Sequence, residues 1–286
     1  MPKINNPRLL LAKLRNGDFA HAGDKEAIDI VLKKIFELIV NPNSCSESDL
    51  KSEMKALDVG CGLGGTAEYI RKVISFDMYG IDIDKSAIQH AKRKYSNIQF
   101  FEYDVMDIEK YLQKNQFSLI YLFNVFYALP QQKESLKHLA AIAKPGALLV
   151  IFDYTCNKQD LEFDLKDLAG KPMKPVSLHN LKKWLKDSGW NLTEIVDLTA
   201  EYERWYEEFL KLMIVNKEML LKEFSDEIFT KVHDTFLILL NSLKNKKIMG
   251  SAVYAILNKN RLFVNPVPSG NIQDRKTVAK KIRSKF

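Results

Sequence analysis

The stretch that decides the fold is "LDVGCGLGGTAEYI", residues 57–70. Its glycines at 60, 62 and 65 satisfy G-x-G-x-x-G, the pattern in which a buried strand turns tightly into a helix. Such loops bind a pyrophosphate because backbone N–H groups and the helix N-terminus present partial positive charge to an anion. Asp58 lies two residues before the first glycine, and a carboxylate there works against an anion. The stretch therefore poses a choice between a phosphate-bearing cofactor and one that carries positive charge.

Predicted strands and helices alternate around this loop. Buried strands are predicted at 55–59, 77–84, 98–105, 117–125, 147–155, 190–199 and 250–259. Helices are predicted at 24–40, from the glycine loop to about residue 74, at 85–95, at 133–143 and at 177–189. This alternation indicates an α/β fold with a doubly wound, mostly parallel, seven-stranded, Rossmann-like sheet.

Residues 198–247, which we call the helical insertion, separate the last two predicted strands. They carry two strong helical patterns, and the second begins after Ser225, a good N-cap followed by two acids. We predict three units: an N-terminal helical cap (1–54), the main domain with this insertion (55–259) and a basic C-terminal tail (260–286).

The composition is that of an ordinary globular protein, with 46% hydrophobic and 28% charged residues. No apolar run approaches the roughly 20 residues that span a bilayer, and we find no signal peptide. Cys45, Cys61 and Cys156 are too far apart for C-x-x-C pairs, and no metal-ligand spacing occurs. We therefore expect a cytoplasmic protein without a metal site or a membrane span. The sequence leaves the oligomeric state open.

Most of the formal net charge of +7 belongs to the C-terminal tail, which has seven basic residues and one acid. The rest of the chain is nearly neutral. A nucleic-acid interface needs basic residues on the face that carries the site. We therefore expect no nucleic-acid partner and interpret the tail as a solvated extension.

Two further acids support a positively charged cofactor. Asp82 and Asp104 end the second and third predicted strands, where carboxylates can accept hydrogen bonds from ribose hydroxyls and from an adenine amino group. Together with Asp58 they favour S-adenosylmethionine, which has an ammonium group, a sulfonium and no phosphate. The predicted cofactor-binding residues are Asp58, Gly60, Cys61, Gly62, Gly64, Asp82, Ile83, Asp104, Val105 and Asn124.

These motifs resemble those of class I S-adenosylmethionine-dependent methyltransferases. "LDVGCGLGG" is similar to their first motif, "YGIDID" to the ribose-acid motif, "YDVMD" to the adenine motif and "FSLIYLFNVFYALP" to the fourth-strand motif. "GDFAHAGDKEA" (17–27), here called the covering segment, resembles a segment that closes over the cofactor in phosphoethanolamine, sarcosine–dimethylglycine and tocopherol-type methyltransferases. The resemblance implies methyl transfer to a small-molecule acceptor.

An amine nitrogen is the acceptor that the aromatic residues favour. Transfer is expected by in-line displacement, which depends on positioning, in a pocket closed by the N-terminal segment and the helical insertion. Aromatic faces attract an ammonium group, so Phe19, Tyr202, Trp205 and Tyr206 are predicted to bind substrate. His21, Tyr127 and Tyr154 are the candidate catalytic residues, as groups that orient the acceptor or take its proton.

Other functions stay open. An apolar pocket would also suit C-methylation of a prenyl or other lipid-like acceptor, and the basic tail could dock a macromolecular substrate. A protein that binds the cofactor without catalysis is a further alternative. Methylation of base amino groups is disfavoured, because Asn124 is followed by Val125-Phe126-Tyr127 rather than by two prolines and an aromatic residue.

Overall fold

A computed structural model describes residues 3–39, 54–158 and 165–258. Predictions for Cys45 and for the basic tail lie outside these residues. The helices are α1 (Pro7–Leu14), α2 (Asp24–Ile39), α3 (Gly65–Val73), α4 (Lys85–Lys94), α5 (Gln132–Ile142), α6 (Leu178–Asp187), α7 (Thr199–Val215), α8 (Lys217–Glu223) and α9 (Asp226–Lys244). The strands are β1 (Lys55–Val59), β2 (Asp77–Asp82), β3 (Gln99–Glu102), β4 (Phe117–Phe123), β5 (Ala143–Cys156), β6 (Val176–Ser177), β7 (Trp190–Asp197) and β8 (Met249–Leu257). None of the helices in the described ranges is both long and apolar enough to cross a bilayer.

The strands form one sheet in the order β3-β2-β1-β4-β5-β8-β7, in which β8 runs in the direction opposite to all the other described strands. Helices α2, α3 and α4 cover one face, and α5 and α6 cover the other. The predicted α/β fold with a doubly wound, mostly parallel sheet is confirmed. The described part of the sheet has eight strands rather than seven, because β6 pairs with the end of β5. With two residues, β6 is too short to show a hydrophobic period.

The strand order reverses at β1, which pairs with β2 on one side and with β4 on the other. Asp58 lies opposite Gly80 and Tyr121 in this register. Ligands of open α/β sheets bind outside the carboxyl ends of the strands at such a reversal. The topology therefore places the glycine loop and the predicted acids at the position where this class of sheet carries its site.

The third strand is shorter than predicted. β3 ends at Glu102, and Asp104 instead caps a 3₁₀ helix (Val105–Lys110), where its side chain accepts a hydrogen bond from the Met106 backbone N–H at 3.0 Å. An aspartate side chain competes with a strand ladder by bonding to the backbone two residues onward. The prediction that Asp104 ends the strand is therefore wrong by two residues, although the residue stays at the carboxyl edge.

The N-terminal cap begins with α1, in which the Asn6 side chain accepts hydrogen bonds from the first backbone N–H groups and Pro7 stands at the first turn. The covering segment follows and contacts α3 and α4. Asp18 is buried and accepts hydrogen bonds from His90, Tyr95 and Lys94 at 2.8–3.0 Å. Burial opposes ionisation of Asp18, but these partners hold the pKa of its carboxyl below the usual value.

The helical insertion contains three helices rather than two, because α8 separates the predicted patterns. Its aromatic residues pack together, with the rings of Phe209 and Phe236 4.3 Å apart between centroids. Arg15 joins the insertion to the covering segment. Its buried guanidinium donates to the His21 carbonyl at 2.5 Å, lies 3.1 Å from the Asp24 carboxylate and stands 4.7 Å over the Phe209 ring.

We expect Gly250→Ala to loosen the contact between the insertion and the sheet. A Cβ atom at Gly250 would overlap the ring of Tyr202, which is fully buried and has no room to move. Overpacking of this kind costs about 1–3 kcal/mol of unfolding free energy, measurable by urea denaturation. Thr193→Ala, at an exposed position on β7, is the control, with a change expected within about 0.5 kcal/mol. Equal stability of Gly250→Ala and the wild type would contradict the observed packing.

Candidate functional site

The glycine loop leaves room for a ligand at one position. Gly62 has φ +53°, and a Cβ atom placed there would meet nothing within 4 Å. At Gly64, by contrast, an added Cβ would press on the Phe100 ring, so this glycine serves packing. The Gly62 backbone N–H donates to Asp82 Oδ2 at 2.8 Å, which fixes the loop against the end of β2. A ligand can therefore approach the backbone at Gly62.

Asp58 is a buried carboxylate that is only partly satisfied by the protein. Its Oδ2 has no hydrogen-bond partner of acceptable geometry among the described residues. Burial raises the pKa of the Asp58 carboxyl well above its usual value; the Tyr121 hydroxyl opposes this shift, and the nearby Asp82 adds to it. A positively charged group would satisfy the free oxygen and favour the ionised form. The residues present thus fit a cationic ligand.

Asp82 ends β2 and accepts backbone hydrogen bonds on both oxygens, from Gly62 at 2.8 Å and from Asp84 at 2.9 Å. Each oxygen retains a lone pair, so ligand hydroxyls can still bind. Ile83 follows with 55% of its surface exposed, an apolar side chain at the mouth of the loop. Asp104 is exposed and Val105 buried beside this edge. Burial raises the pKa of the Cys61 thiol well above its usual value, which disfavours a thiolate nucleophile.

His21 holds the covering segment against α3. Its Nδ1 lies 2.8 Å from the Ala22 carbonyl and therefore carries the proton, which leaves Nε2 to accept from the Thr66 hydroxyl at 3.0 Å. Burial lowers the pKa of His21 to about 3, and the nearby Arg15 acts in the same direction. The imidazole is therefore neutral near pH 7, and its Nε2 is already occupied. This arrangement suits a positioning role better than that of a free base.

A cavity of about 50 Å³ lies between the covering segment, the carboxyl ends of β4 and β5, and the helical insertion. Five residues predicted from the sequence line it: His21, Asn124, Tyr127, Tyr154 and Tyr206. It is also lined by residues that the sequence did not indicate: Ala20, Ala22, Asp167, Leu168, Met173, Thr235, Phe236 and Leu239. A larger, open hollow of about 300 Å³ lies at the opposite edge of the sheet, near Asp77, and contains none of the predicted site residues.

Tyrosines dominate the wall of the small cavity. The Tyr154 and Tyr206 hydroxyls share a hydrogen bond, and the Tyr127 ring lies 5.5 Å from that of Tyr154. Burial raises the pKa of each of these hydroxyls above its usual value, so all three remain protonated near neutral pH. Tyr202 stands behind them and accepts a hydrogen bond from the Asn124 side chain at 3.2 Å. The wall therefore offers neutral hydroxyls and aromatic faces.

Three of the four predicted substrate-binding residues, Phe19, Tyr202 and Trp205, take other positions. Phe19 is buried edge-on against Tyr69, with 6.4 Å between the ring centroids. The Trp205 indole N–H donates to Glu26 at 2.9 Å, and its ring fills the space beside Gly23. Neither residue is among the described residues that line the cavity, and nor is Tyr202. In this structure they support the covering segment and the insertion from outside.

Asp153 is a buried residue that sequence analysis missed. Its carboxylate accepts from the backbone N–H groups of Tyr154 at 2.6 Å and of Tyr127 at 3.2 Å, so it fixes both tyrosines from beneath. Burial raises its pKa to about 7, while these hydrogen bonds oppose the shift. The feature of the sequence that could have identified Asp153 is its position as an acid inside the apolar strand "VIFDYT" (150–155).

Comparison with known proteins agrees with this geometry. Residues 32–195, more than half of the chain, match the family described as a methyltransferase domain. The chain is 28% identical over 189 residues to phosphoethanolamine N-methyltransferase 1 of Triticum aestivum, an alignment that covers 64% of this chain and 38% of that enzyme. It is 26% identical over 225 residues to malonyl-[acyl-carrier protein] O-methyltransferase 2 of Ilyobacter polytropus, covering 74% and 85% of the two chains.

A solved structure, phosphoethanolamine N-methyltransferase 2 of Haemonchus contortus in complex with phosphomonomethylethanolamine and S-adenosylhomocysteine, superposes with a TM-score of 0.72 at 16% identity. The match covers 87% of this chain and 57% of that one. The fold and the site define a class I methyltransferase. The chain belongs to the methyltransferase domain family, and its cofactor is S-adenosylmethionine.

We expect Asp82→Asn to weaken S-adenosylmethionine binding about tenfold or more, because the carboxylate both fixes the Gly62 loop and is placed to accept ligand hydroxyls. Calorimetric titration measures this change. Asp77→Asn removes the same charge from the other end of β2 and should leave the affinity unchanged. Equal affinities of Asp82→Asn and the wild type would contradict the assignment.

The His21 pKa predicts a pH-dependent contribution to stability. The folded-state value of about 3 lies below the ordinary 6.5, so the unfolded chain binds the proton first as the pH falls. His21 should therefore cost stability below pH 6.5, by up to about 1.4 kcal/mol per pH unit. Urea denaturation of His21→Gln and the wild type should show their stability difference shrinking from pH 7.5 to pH 5. Thr193→Ala, which removes no titratable group, should show no such trend, and a constant difference for His21→Gln would refute the burial effect.

Proposed function

We propose that the enzyme transfers a methyl group from S-adenosylmethionine to an amine nitrogen of a small molecule, in the cavity beneath the covering segment. The supporting observation is the group of three tyrosines, Tyr127, Tyr154 and Tyr206, that lines this cavity beside Asn124. Asn124 follows β4, the neighbour of β1, which leads into the glycine loop. Donor and acceptor would thus occupy adjoining sites at one edge of the sheet.

The tyrosines would orient the amine. Their hydroxyls can donate to or accept from the nitrogen and its protons, which restricts the direction of the lone pair. Their rings attract an ammonium group, whether in the protonated acceptor or in a methylated product, with about 0.5–2 kcal/mol per good contact. Because burial raises the pKa of all three hydroxyls, they are poor bases at neutral pH. Orientation, rather than proton removal, is therefore their proposed role.

The cofactor, when bound, supplies a methyl group on a positively charged sulfur. Asp58 is suited to hold the ammonium group, because its buried Oδ2 lacks a partner among the described residues. Asp82 is suited to accept the ribose hydroxyls, and Ile83, Asp104 and Val105 would contact the adenine. Gly62 would allow close backbone approach.

The covering segment would exclude water from the acceptor. His21 bonds to Thr66, and the Ala22 backbone N–H donates to Asn124 Oδ1 at 2.9 Å, so the segment bridges α3 and the end of β4. These contacts join the proposed donor and acceptor sites under one strip of chain. Removal of water strengthens each hydrogen bond to the amine.

The names of the two relatives do not agree on the atom that is methylated. The wheat relative is named as an N-methyltransferase, whereas the Ilyobacter relative is named as an O-methyltransferase acting on an acyl-carrier protein. The preference for an amine therefore depends on the tyrosine-lined cavity.

The test is release of S-adenosylhomocysteine from the full chain across a panel of small primary, secondary and tertiary amines, with alcohols of matched size for comparison. Amines should be turned over, and Tyr127→Phe should lower kcat/KM about tenfold without changing cofactor affinity, because one hydrogen bond to the acceptor is lost. Tyr111→Phe, at an exposed tyrosine, is the matched control. Turnover of alcohols alone would contradict methylation at nitrogen.

A second experiment separates small-molecule from macromolecular acceptors. Replacing the seven basic residues of the tail with glutamine should leave amine turnover unchanged, because the proposed cavity is formed by the body of the protein. If activity requires these charges, docking of a macromolecule through the tail is the better account.

A further inference from the structure

Charge is unevenly distributed around the acceptor cavity. Among the described residues that line it, Asp167 is the one with a formal charge, since His21 is held neutral by burial. No lysine or arginine contributes to this described lining. The wall is otherwise made of hydroxyls, aromatic rings and aliphatic groups. A negatively charged ligand would therefore find no opposite charge among these described lining residues.

Asp167 is fixed at the rim of the cavity by the turn that follows it. Its Oδ1 accepts from the backbone N–H groups of Ala169 at 2.9 Å and of Lys171 at 2.8 Å. The Gly170 N–H also donates to the Asp167 carbonyl at 2.9 Å. No hydrogen bond within the described ranges involves Oδ2. Among the described residues, Oδ2 of this well-held carboxylate therefore has no partner that competes with a ligand.

Two arginines that lie close to lining residues, Arg15 and Arg8, are engaged elsewhere. The Arg15 guanidinium lies 5.6 Å from the centroid of the Phe236 ring. It donates a hydrogen bond to the His21 carbonyl and forms an ion pair with the Asp24 carboxylate. Arg8 forms a 2.6 Å ion pair with Asp84 outside the cavity. Redirecting either guanidinium to an anionic ligand would leave a carboxylate without its partner.

Asp153 lies beneath the tyrosines and, because burial raises its pKa to about 7, carries part of a negative charge at neutral pH. Burial is the main cause of the raised Tyr127 pKa, but Asp167 and Asp153 both act in the same direction, and Arg8 opposes them more weakly. Tyr127 lines the cavity, so the two carboxylates that act on it also favour a cation over an anion at that wall.

We infer, building on the proposed transfer to nitrogen, that the acceptor is an amine without a phosphate or carboxylate group and that Asp167 selects it by pairing with its positive charge. Before transfer the ammonium group releases one proton to solvent; the freed lone pair then bonds to the methyl carbon while the carbon–sulfur bond breaks and its electron pair stays on sulfur. An anionic group enclosed in a small cavity without a cationic partner is strongly disfavoured. The inference separates this chain from the wheat and Haemonchus contortus relatives, which are named for a phosphorylated amine.

Binding of simple ions tests the inference independently of turnover. The full chain, saturated with S-adenosylhomocysteine, is titrated by calorimetry with methylammonium, tetramethylammonium and inorganic phosphate at constant ionic strength. We expect an ammonium ion to bind, with a Kd raised about fivefold or more in Asp167→Asn, and no saturable binding of phosphate. The amide introduced by Asp167→Asn keeps an oxygen for the turn, and Asp77→Asn is the control for charge alone. Three results would overturn the inference. They are phosphate binding that excludes ammonium, the absence of ammonium binding, and an unchanged Kd for ammonium in Asp167→Asn.

Turnover of neutral and anionic acceptors provides the second test of the inference. For any amino alcohol that is methylated, the phosphate ester of its hydroxyl group should have a kcat/KM at least a hundredfold lower. The same decrease is expected when a carboxylate replaces that hydroxyl group. An equal or higher kcat/KM for either anionic analogue would overturn the inference while leaving methylation at nitrogen intact. If no amine is methylated, the proposed function fails, and the ion titrations still decide the charge preference of the cavity.

Discussion

Polar groups buried at the carboxyl edge of the sheet are the constraint on which the rest of the structure depends. A buried polar atom without a partner costs free energy, so each must be satisfied by the chain or by a ligand. Asp82 bonds to the glycine loop, Asp153 to the backbone of two tyrosines, and Asn124 to the covering segment. Asp58 retains one oxygen without a partner among the described residues. The other carboxylates and the amide named here have hydrogen-bond partners in the chain. Asp58 still needs a partner, and a positively charged group would provide it.

The covering segment follows from the same constraint. Asp18 is bound by three side chains of α4 and its C-cap, His21 is bound by Thr66, and Arg15 is enclosed between Asp24 and the aromatic rings of the insertion. Each contact buries a polar group whose partner lies on a different element. The segment therefore joins the cofactor loop, the end of β4 and the helical insertion. Its position encloses the small cavity, and the tyrosines beneath it supply hydroxyls and aromatic faces but no cation.

The sequence predicted the sheet well, because its strands are short apolar runs bounded by turn residues and its glycine loop has a fixed geometric role. It failed where a local hydrogen bond or a long-range contact decided the outcome. Asp104 ended β3 early by capping a 3₁₀ helix, and the two residues of β6 pair with β5 without any hydrophobic pattern. Five of the predicted site residues line the cavity, whereas Asp167 reaches it from a loop and Phe236 from a helix, and neither belongs to a recognisable motif. Such juxtapositions depend on packing, which periodicity and spacing do not encode.

The central claim is that this edge of the sheet brings a positively charged methyl donor and an amine together under one covering segment. Its most direct test is NMR spectroscopy of a reaction with ¹³C-methyl-labelled S-adenosylmethionine and a turned-over acceptor. The account predicts that the labelled carbon appears as a methyl group bonded to nitrogen. A label found on oxygen or on carbon would contradict it.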